Sequence, residues 1–181
     1  MICQGRRLNP PLNKVGREQA GHLAAQVAVS AIFCSPLVRA HETAGIVQAS
    51  NPTAIFSVSE DLNEVDFGRA EGLPQLLAAA CLAPTYVAWS KGQDVERAGG
   101  GENLAEIQQR AVTAAATLLR ACDEGGQVLG VSHSSMLKIT LATLLDVPLN
   151  MIRSLGQDNC AINALDYDTV SGSFEAVLVN N

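Results

Sequence analysis

The sequence is short of aromatic residues, of positive charge and of long apolar runs, and each shortage excludes a class of protein. Aromatic side chains make up 4% of the chain, so the core must be aliphatic, built mainly from Ala, Leu and Val. The formal net charge of −6 argues against nucleic-acid binding, because nucleic-acid surfaces carry clustered basic residues. No apolar run reaches the length of a membrane span, and the N-terminus lacks the apolar core of a signal peptide.

Paired cysteines are lacking as well. Five cysteines are scattered along the chain without a C-x-x-C pair, a pattern that favours reduced thiols over a disulfide framework or a zinc site. We therefore expect a cytoplasmic protein with no metal. With 181 residues, 48% of them hydrophobic, one domain over residues 1–181 is the natural expectation.

What the sequence does contain is an alternation of short apolar runs and helical patterns. Helix starts are marked by Asn13, and by Ser35 as an N-cap with Pro36 at the first helical position. A segment at about 60–101 breaks the alternation, and we interpret it as an inserted helical and loop segment at the rim of a pocket. The predicted strands cover residues 31–34, 54–58, 127–132, 161–167 and 174–179, and the later helices cover residues 103–122 and 135–145.

This order of elements predicts an α/β fold, a three-layer sandwich with a mostly parallel sheet flanked by helices. Ligands of such folds bind beyond the carboxyl ends of the strands. Ser35 and His133 each directly follow a predicted strand, so we expect both at the same edge of the sheet.

Three side chains near that edge are candidates for chemistry. Arg39 lies in the first turns of its helix, where a guanidinium can bind two phosphate oxygens, although a solvated surface position is equally compatible with the pattern. His133 would contact an anion as imidazolium or accept a proton near neutral pH. Glu64, a loop carboxylate among apolar neighbours, would acquire a raised pKa if buried and would then protonate a leaving oxygen. The nearby carboxylates that offer the same group are Glu60, Asp61 and Asp66.

Taken together, these pieces resemble the histidine phosphatase superfamily, in its phosphoglycerate-mutase-like branch. The resemblance runs in family order and spans nearly the whole chain. Each matching segment is weakly specific by itself, and the set is specific. The matching segments are residues 4–5, 11–20, 35–44, 62–68, 99–103 and 131–133.

The resemblance implies a fold, a reaction and a site. In that family a histidine attacks the phosphoryl group and becomes a phosphohistidine, and neither metal nor cofactor is needed. By position, Arg39 resembles the second phosphate-binding arginine, His133 the second histidine and Glu64 the proton donor. The further substrate-binding positions implied are Gln4, Gly5 and Ser134, the last of which stands where the family has glycine.

One element of the family pattern is missing from the chain. The family's first strand ends in Arg-His-Gly, whose histidine is the nucleophile, and only three residues precede Gln4 here. The resemblance places that strand in the centre of the sheet, so we expect an N-terminally truncated domain. Without the strand, its neighbours would keep unpaired backbone groups, each of which costs about 1–3 kcal/mol when buried.

Three functions are compatible with this pattern. The first is a phosphatase for a small phosphate monoester, whose full-length form uses a phosphohistidine and whose present chain is inactive. The second is a non-catalytic pseudoenzyme that binds a phosphorylated ligand or a protein partner. The third makes His133 itself the nucleophile. A phosphatase is favoured over a mutase because the 60–101 segment has few basic residues, namely Arg69, Lys91 and Arg97. The expected ligand is a small phosphorylated substrate or inorganic phosphate.

Overall fold

The computed structural model describes residues 2–123 and 125–181, in which helices and strands alternate. The helices are α1 (Lys14–Ala24), α2 (Val38–Ser50), α3 (Gln75–Trp89), α4 (Leu104–Arg120) and α5 (Ser134–Leu144). The strands are β1 (Ala31–Cys34), β2 (Ile55–Val58), β3 (Val128–Val131), β4 (Ala164–Asp168) and β5 (Ser173–Leu178). Short 3₁₀ helices lie at Glu60–Leu62, Gly68–Ala70, Ala98–Gly100 and Leu149–Ser154.

The strands β1, β2 and β3 form a parallel sheet in the order β2-β1-β3. Strand β1 is central and carries the most buried residues, because it has a partner on each side and helices on both faces. Helix α1 packs on α2, and helix α4 packs on α5. The predicted α/β sandwich with a parallel sheet flanked by helices is confirmed.

Two apolar clusters build the core. One joins α1, α2 and β1 through side chains such as Leu23, Ile32 and Val47, with Leu129 and Val131 of β3 packed against it. The other joins α3, α4 and α5 and includes Trp89, Ile107 and Met136. Most of these side chains are aliphatic, as the low aromatic content requires. No helix in the described parts of the chain is long and apolar enough to cross a membrane.

Strands β4 and β5 form an antiparallel hairpin of their own. The predicted pair of strands with a turn at Ser171-Gly172 is therefore confirmed, and Gly172 has the positive φ of 70° that such a turn favours. Strand β4 begins at Ala164 instead of 161, although Ile162 still exchanges two backbone hydrogen bonds with Asn181, at 2.9 and 3.3 Å.

The two predicted helix starts have different outcomes. Asn13 is the N-cap of α1, and its Oδ1 accepts the backbone N–H of Gly16 at 2.8 Å. Ser35 was expected to cap α2, and that expectation is wrong. Helix α2 begins at Val38 after Leu37, while the Ser35 hydroxyl accepts the N–H of Leu37 at 3.2 Å and also contacts His133. The buried hydroxyl therefore forms hydrogen bonds within the tight turn and with the histidine, and it does not cap the helix.

Strand β3 is an edge strand among the described residues, since none of them pairs with it on the side away from β1. That free side borders a cleft. The described N-terminal residues lie elsewhere: Ile2 bridges to Pro74, and Cys3 donates its N–H to the carbonyl of Leu73. The expected central strand ahead of Gln4 stays a prediction.

Candidate active site

A cleft of about 670 Å³ opens beside the carboxyl end of β3. Its walls come from both helical layers, through Leu23 of α1 and Leu137 of α5, and from residues 157–163 opposite β3. Five of the six predicted site residues line it: Gln4, Arg39, Glu64, His133 and Ser134. The volume lies in the range of small-molecule sites.

Glu64 is a buried carboxylate at the N-terminus of α5. Its Oε1 accepts the N–H groups of Val65 at 2.9 Å and Met136 at 3.1 Å, and its Oε2 lies 3.5 Å from the N of Ser135. Burial raises the pKa of Glu64, against the lowering effect of these N–H groups and of Arg39. A carboxyl group with a raised pKa at a cleft wall is suited to giving a proton to a substrate oxygen.

Two of the other candidate carboxylates, Glu60 and Asp66, make contacts elsewhere. Glu60 is exposed and accepts the side-chain amide of Asn63. Burial alone would raise the pKa of Asp66, but the N–H of Gly68 and the guanidinium of Arg7 outweigh it and hold that pKa below its usual value. Of the four carboxylates that the sequence left open, the cleft is lined by Glu64.

Arg39 is half-buried in the first turn of α2 and organises the N-terminal loop. Its two terminal nitrogens donate to the carbonyls of Leu8 at 3.0 Å and Gly5 at 3.1 Å. Burial lowers the pKa of Arg39, whereas Glu64 and Glu71 raise it, and an arginine remains charged in any case. Gly5 therefore contributes its carbonyl to Arg39 and is not among the cleft-lining residues, unlike the neighbouring Gln4.

His133 ends the connection from β3 and precedes α5 directly. It is 8% exposed, and its Nε2 lies 2.8 Å from the hydroxyl oxygen of Ser35. Burial, then the charges of Arg39 and Arg110, lower the pKa of His133 to about 3. Its imidazole is therefore neutral at physiological pH, so the sequence-based alternative of an imidazolium contact is not supported by this environment.

A partly buried ion-pair network supports the Glu64 loop, and the sequence analysis missed it. Arg110 donates to both carboxylate oxygens of Glu102, at 2.9 and 3.0 Å, and to the carbonyls of Asp61 and Asn63, both at 3.0 Å. Glu102 also accepts the N–H of Asp66 at 2.9 Å. Arg110 and Glu102 thus hold the chain immediately before and after Glu64.

Arg6 adds a second cation to this network. It pairs with Glu102 at 2.8 Å and its Nε donates to the carbonyl of Glu64 at 3.3 Å. Only the adjacency of Arg6 to the matched residues 4–5 could have drawn attention to it in the sequence. Within the described residues, no group of three or more His, Cys, Asp or Glu side chains is arranged to hold a metal ion.

Comparison with known proteins decides the family. The model of the histidine phosphatase superfamily (branch 1) matches residues 2–181. The chain belongs to this superfamily. The family resemblance inferred from the sequence is therefore confirmed.

Two curated relatives and one solved structure illustrate the match. A bifunctional protein of Mycobacterium tuberculosis is 32% identical over 179 residues, which are 96% of this chain and 48% of that protein. A probable phosphoglycerate mutase, GpmB, of Yersinia enterocolitica is 32% identical over 168 residues, 87% of this chain and 74% of that protein. The chain spans about half the length of the mycobacterial relative.

The α-ribazole phosphatase of Shigella flexneri shares the fold with a TM-score of 0.78 and 26% identity, over 99% of this chain and 88% of that one. A solved phosphatase structure therefore superimposes on nearly all of this chain.

The network that holds the Glu64 loop should make a large contribution to stability. In Arg110→Met, Glu102 and two backbone carbonyls lose their shared donor, and we expect a loss of about 3 kcal/mol in the free energy of unfolding. Arg97→Met is the matched control, because it removes an Arg–Glu pair that is nearly half-exposed, with side chains 49% and 44% exposed, and it should cost much less than Arg110→Met because solvent screens exposed pairs. Urea titration measures both. Equal losses in the two variants would contradict the special role of Arg110.

The raised pKa of Glu64 predicts a definite pH dependence. A folded state that resists ionisation of Glu64 loses stability relative to the unfolded chain as the pH rises above 4.5, the ordinary value of this carboxyl. Glu64→Gln cannot ionise, and its retained Oε1 can still accept from Val65 and Met136. The melting temperature of this variant should therefore gain on that of the unaltered protein between pH 4 and pH 7.

Glu18→Gln is the control for that experiment, since Glu18 is exposed on α1. Its melting temperature should follow the unaltered protein at every pH. A melting temperature of Glu64→Gln that falls further below, or gains less over, that of the unaltered protein as the pH rises would show that the pKa of Glu64 is lowered instead.

Proposed function

We propose that this chain carries the phosphoryl-binding and proton-donating part of a cytoplasmic phosphatase for small phosphate monoesters. The observation that carries the proposal is the cleft at the carboxyl end of β3, where Arg39, His133 and Glu64 meet. Arg39 supplies positive charge, neutral His133 supplies a hydrogen bond, and Glu64 holds a proton for the leaving oxygen. The named phosphatase from Shigella, which shares this fold, supports the same class of reaction.

The proposed mechanism needs a nucleophilic imidazole besides His133. His22 on α1 and His41 on α2 are exposed and do not line the cleft. We therefore assign the nucleophile to an Arg-His-Gly segment of a longer form, on a strand that runs along the free side of β3. Its imidazole nitrogen forms the bond to phosphorus, the ester oxygen leaves with the proton of Glu64, and water then hydrolyses the phosphohistidine. By itself, the present chain is inactive in this scheme.

A phosphatase is favoured over a mutase by the distribution of basic residues. A mutase must bind an anion at both ends of its substrate. Of the three basic residues in the 60–101 segment, Arg97 is already paired with Glu106 at 2.7 Å, and none of the three lines the cleft. The GpmB relative is named a probable phosphoglycerate mutase, so both activities occur among the names of similar proteins.

The second candidate function is a pseudoenzyme that binds a phosphorylated ligand or protein partner without turnover. The observation that favours it is that Arg39, His133 and Glu64 are each held in place by hydrogen bonds to other described residues. Binding of an anion to them requires no nucleophile.

Phosphate binding is the first test, because both functions depend on it. Millimolar phosphate or vanadate should raise the melting temperature of the chain, since a ligand that binds only the folded state stabilises it. Arg39→Met and His133→Gln should abolish most of that shift. Arg120→Met at the end of α4 and His22→Gln on α1, both outside the cleft, should retain it. The absence of any shift in the unaltered chain would contradict both functions.

Hydrolysis separates the two functions. An added strand with Arg-His-Gly ahead of Gln4 should convert the chain into an enzyme for a generic ester such as p-nitrophenyl phosphate. The matched control carries Arg-Ala-Gly in the same added strand and should be inactive, as should the chain without the addition. An extended protein that binds phosphate but never turns over would favour the pseudoenzyme. Activity of the present chain that disappears in His133→Ala would instead make His133 the nucleophile.

A further inference from the structure

The hydroxyl of Ser35 joins the ends of two adjacent parallel strands at His133. Ser35 follows β1, His133 follows β3 by two positions, and the two strands pair with Cys34 opposite Val131. The contact between Ser35 Oγ and His133 Nε2 is 2.8 Å long, and Ser35 is 0% exposed. Water therefore cannot replace either partner in this hydrogen bond.

The donor in this contact follows from the hydrogen-bonding capacity of the hydroxyl. A serine hydroxyl has one proton and two lone pairs, and the Oγ of Ser35 already accepts the N–H of Leu37 at 3.2 Å. If Nε2 of His133 donated as well, the proton of Ser35 would need a second acceptor. The described residues offer none, and an unsatisfied buried donor is costly.

The opposite arrangement satisfies both groups of the buried contact. When Ser35 donates its proton to Nε2, the lone pair of Nε2 accepts it, and the hydroxyl acts both as a donor to His133 and as an acceptor from Leu37. The ring proton of neutral His133 then lies on Nδ1. The described residues provide no hydrogen-bond partner for Nδ1, and His133 lines the cleft, so that N–H is the one available to a ligand.

We propose that Ser35 is a positioning residue that holds neutral His133 in its Nδ1–H tautomer. The cleft thereby acquires a fixed N–H donor for a phosphoryl oxygen, whereas the other tautomer would turn a lone pair toward an anion. This inference deepens the proposed phosphatase function and rests on it for its purpose, but the tautomer itself does not depend on any reaction.

The same contact resembles a serine nucleophile with a histidine base, and burial excludes that interpretation. A nucleophilic hydroxyl must reach the substrate, but Ser35 is fully buried and is not among the residues that line the cleft. Its hydroxyl acts through the imidazole of His133 and not on a substrate.

The test is nitrogen-15 NMR of the imidazole rings in the chain as it exists, at pH 7. His133 is assigned by the loss of its signals in His133→Gln. We expect a pyrrole-type signal for Nδ1 and a pyridine-type signal for Nε2. The exposed His22 and His41 serve as internal references for mixed tautomers. A pyrrole-type Nε2 in His133, or the averaged signals of a mixture, would overturn the proposal.

A pair of serine variants tests the cause. In Ser35→Ala, the His133 signals should move toward the Nε2–H tautomer, and phosphate binding should weaken several-fold. Ser132→Ala is the matched control, since the Ser132 hydroxyl donates to the carbonyl of Leu62 at 2.7 Å and not to His133. It should leave the His133 signals unchanged. Unchanged signals in a folded Ser35→Ala would also overturn the proposal.

The outcomes separate this inference from the proposed function. A fixed Nδ1–H tautomer that Ser35→Ala disrupts would support the inference even if phosphate never bound, and the failure of binding would then count against the phosphatase alone. Phosphate binding with equal affinity in Ser35→Ala and the unaltered chain would contradict the positioning role of Ser35 while leaving the phosphatase proposal standing.

Discussion

The pairing of β1 with β3 is the constraint on which the site depends. Parallel strands in register, with Cys34 opposite Val131, bring their carboxyl ends to one edge of the sheet. Ser35 and His133 lie just beyond those ends and meet at 2.8 Å. A slip of one residue in this register would separate the two side chains, because successive residues of a strand point to opposite faces.

Burial then sets the protonation of the groups that the sheet brings together. It raises the pKa of Glu64 and lowers that of His133, so both side chains are driven toward their neutral forms. The charges of Arg39 and Arg110 reinforce the effect at His133, whereas Arg39 opposes it at Glu64. Arg39 thus reinforces the effect of burial on the histidine while remaining positively charged itself.

The sequence predicted the parts of the site that depend on local patterns. Apolar runs next to helix starts were enough to place β1 and β3, and from them Arg39 and His133 at one edge of the sheet. Only the family resemblance singled out Glu64 among the four candidate carboxylates. The feature that separates it from the others is a contact with a distant segment: two of the N–H groups that it accepts belong to α5, 71 and 72 positions away in the chain.

What the sequence could not predict are contacts between distant segments. Ser35 has the sequence signature of an N-cap, with proline after it, yet its hydroxyl bonds to a histidine 98 positions away. Arg110 lies within the amphipathic pattern of α4, where an arginine ordinarily faces solvent. Its partners at Asp61 and Asn63 are 49 and 47 positions distant, and no periodicity of the helix marks them.

The hydrogen bonds and charges of Arg39, His133 and Glu64 limit how the cleft could recognise a substrate. Arg39 uses both terminal nitrogens to donate to the carbonyls of Leu8 and Gly5. It would therefore attract an anion mainly through its charge and not through a free bidentate pair of hydrogen bonds. Neutral His133 adds a hydrogen bond without charge, and the burial that raises the pKa of Glu64 favours the uncharged form of that side chain. In the function we propose, such a site would attract a phosphoryl group in general and would distinguish poorly between one ester and another. Under the same proposal, discrimination would come from the opposite wall, at residues 157–163, where the polar side chains of Gln157, Asp158, Asn159 and Asn163 line the cleft.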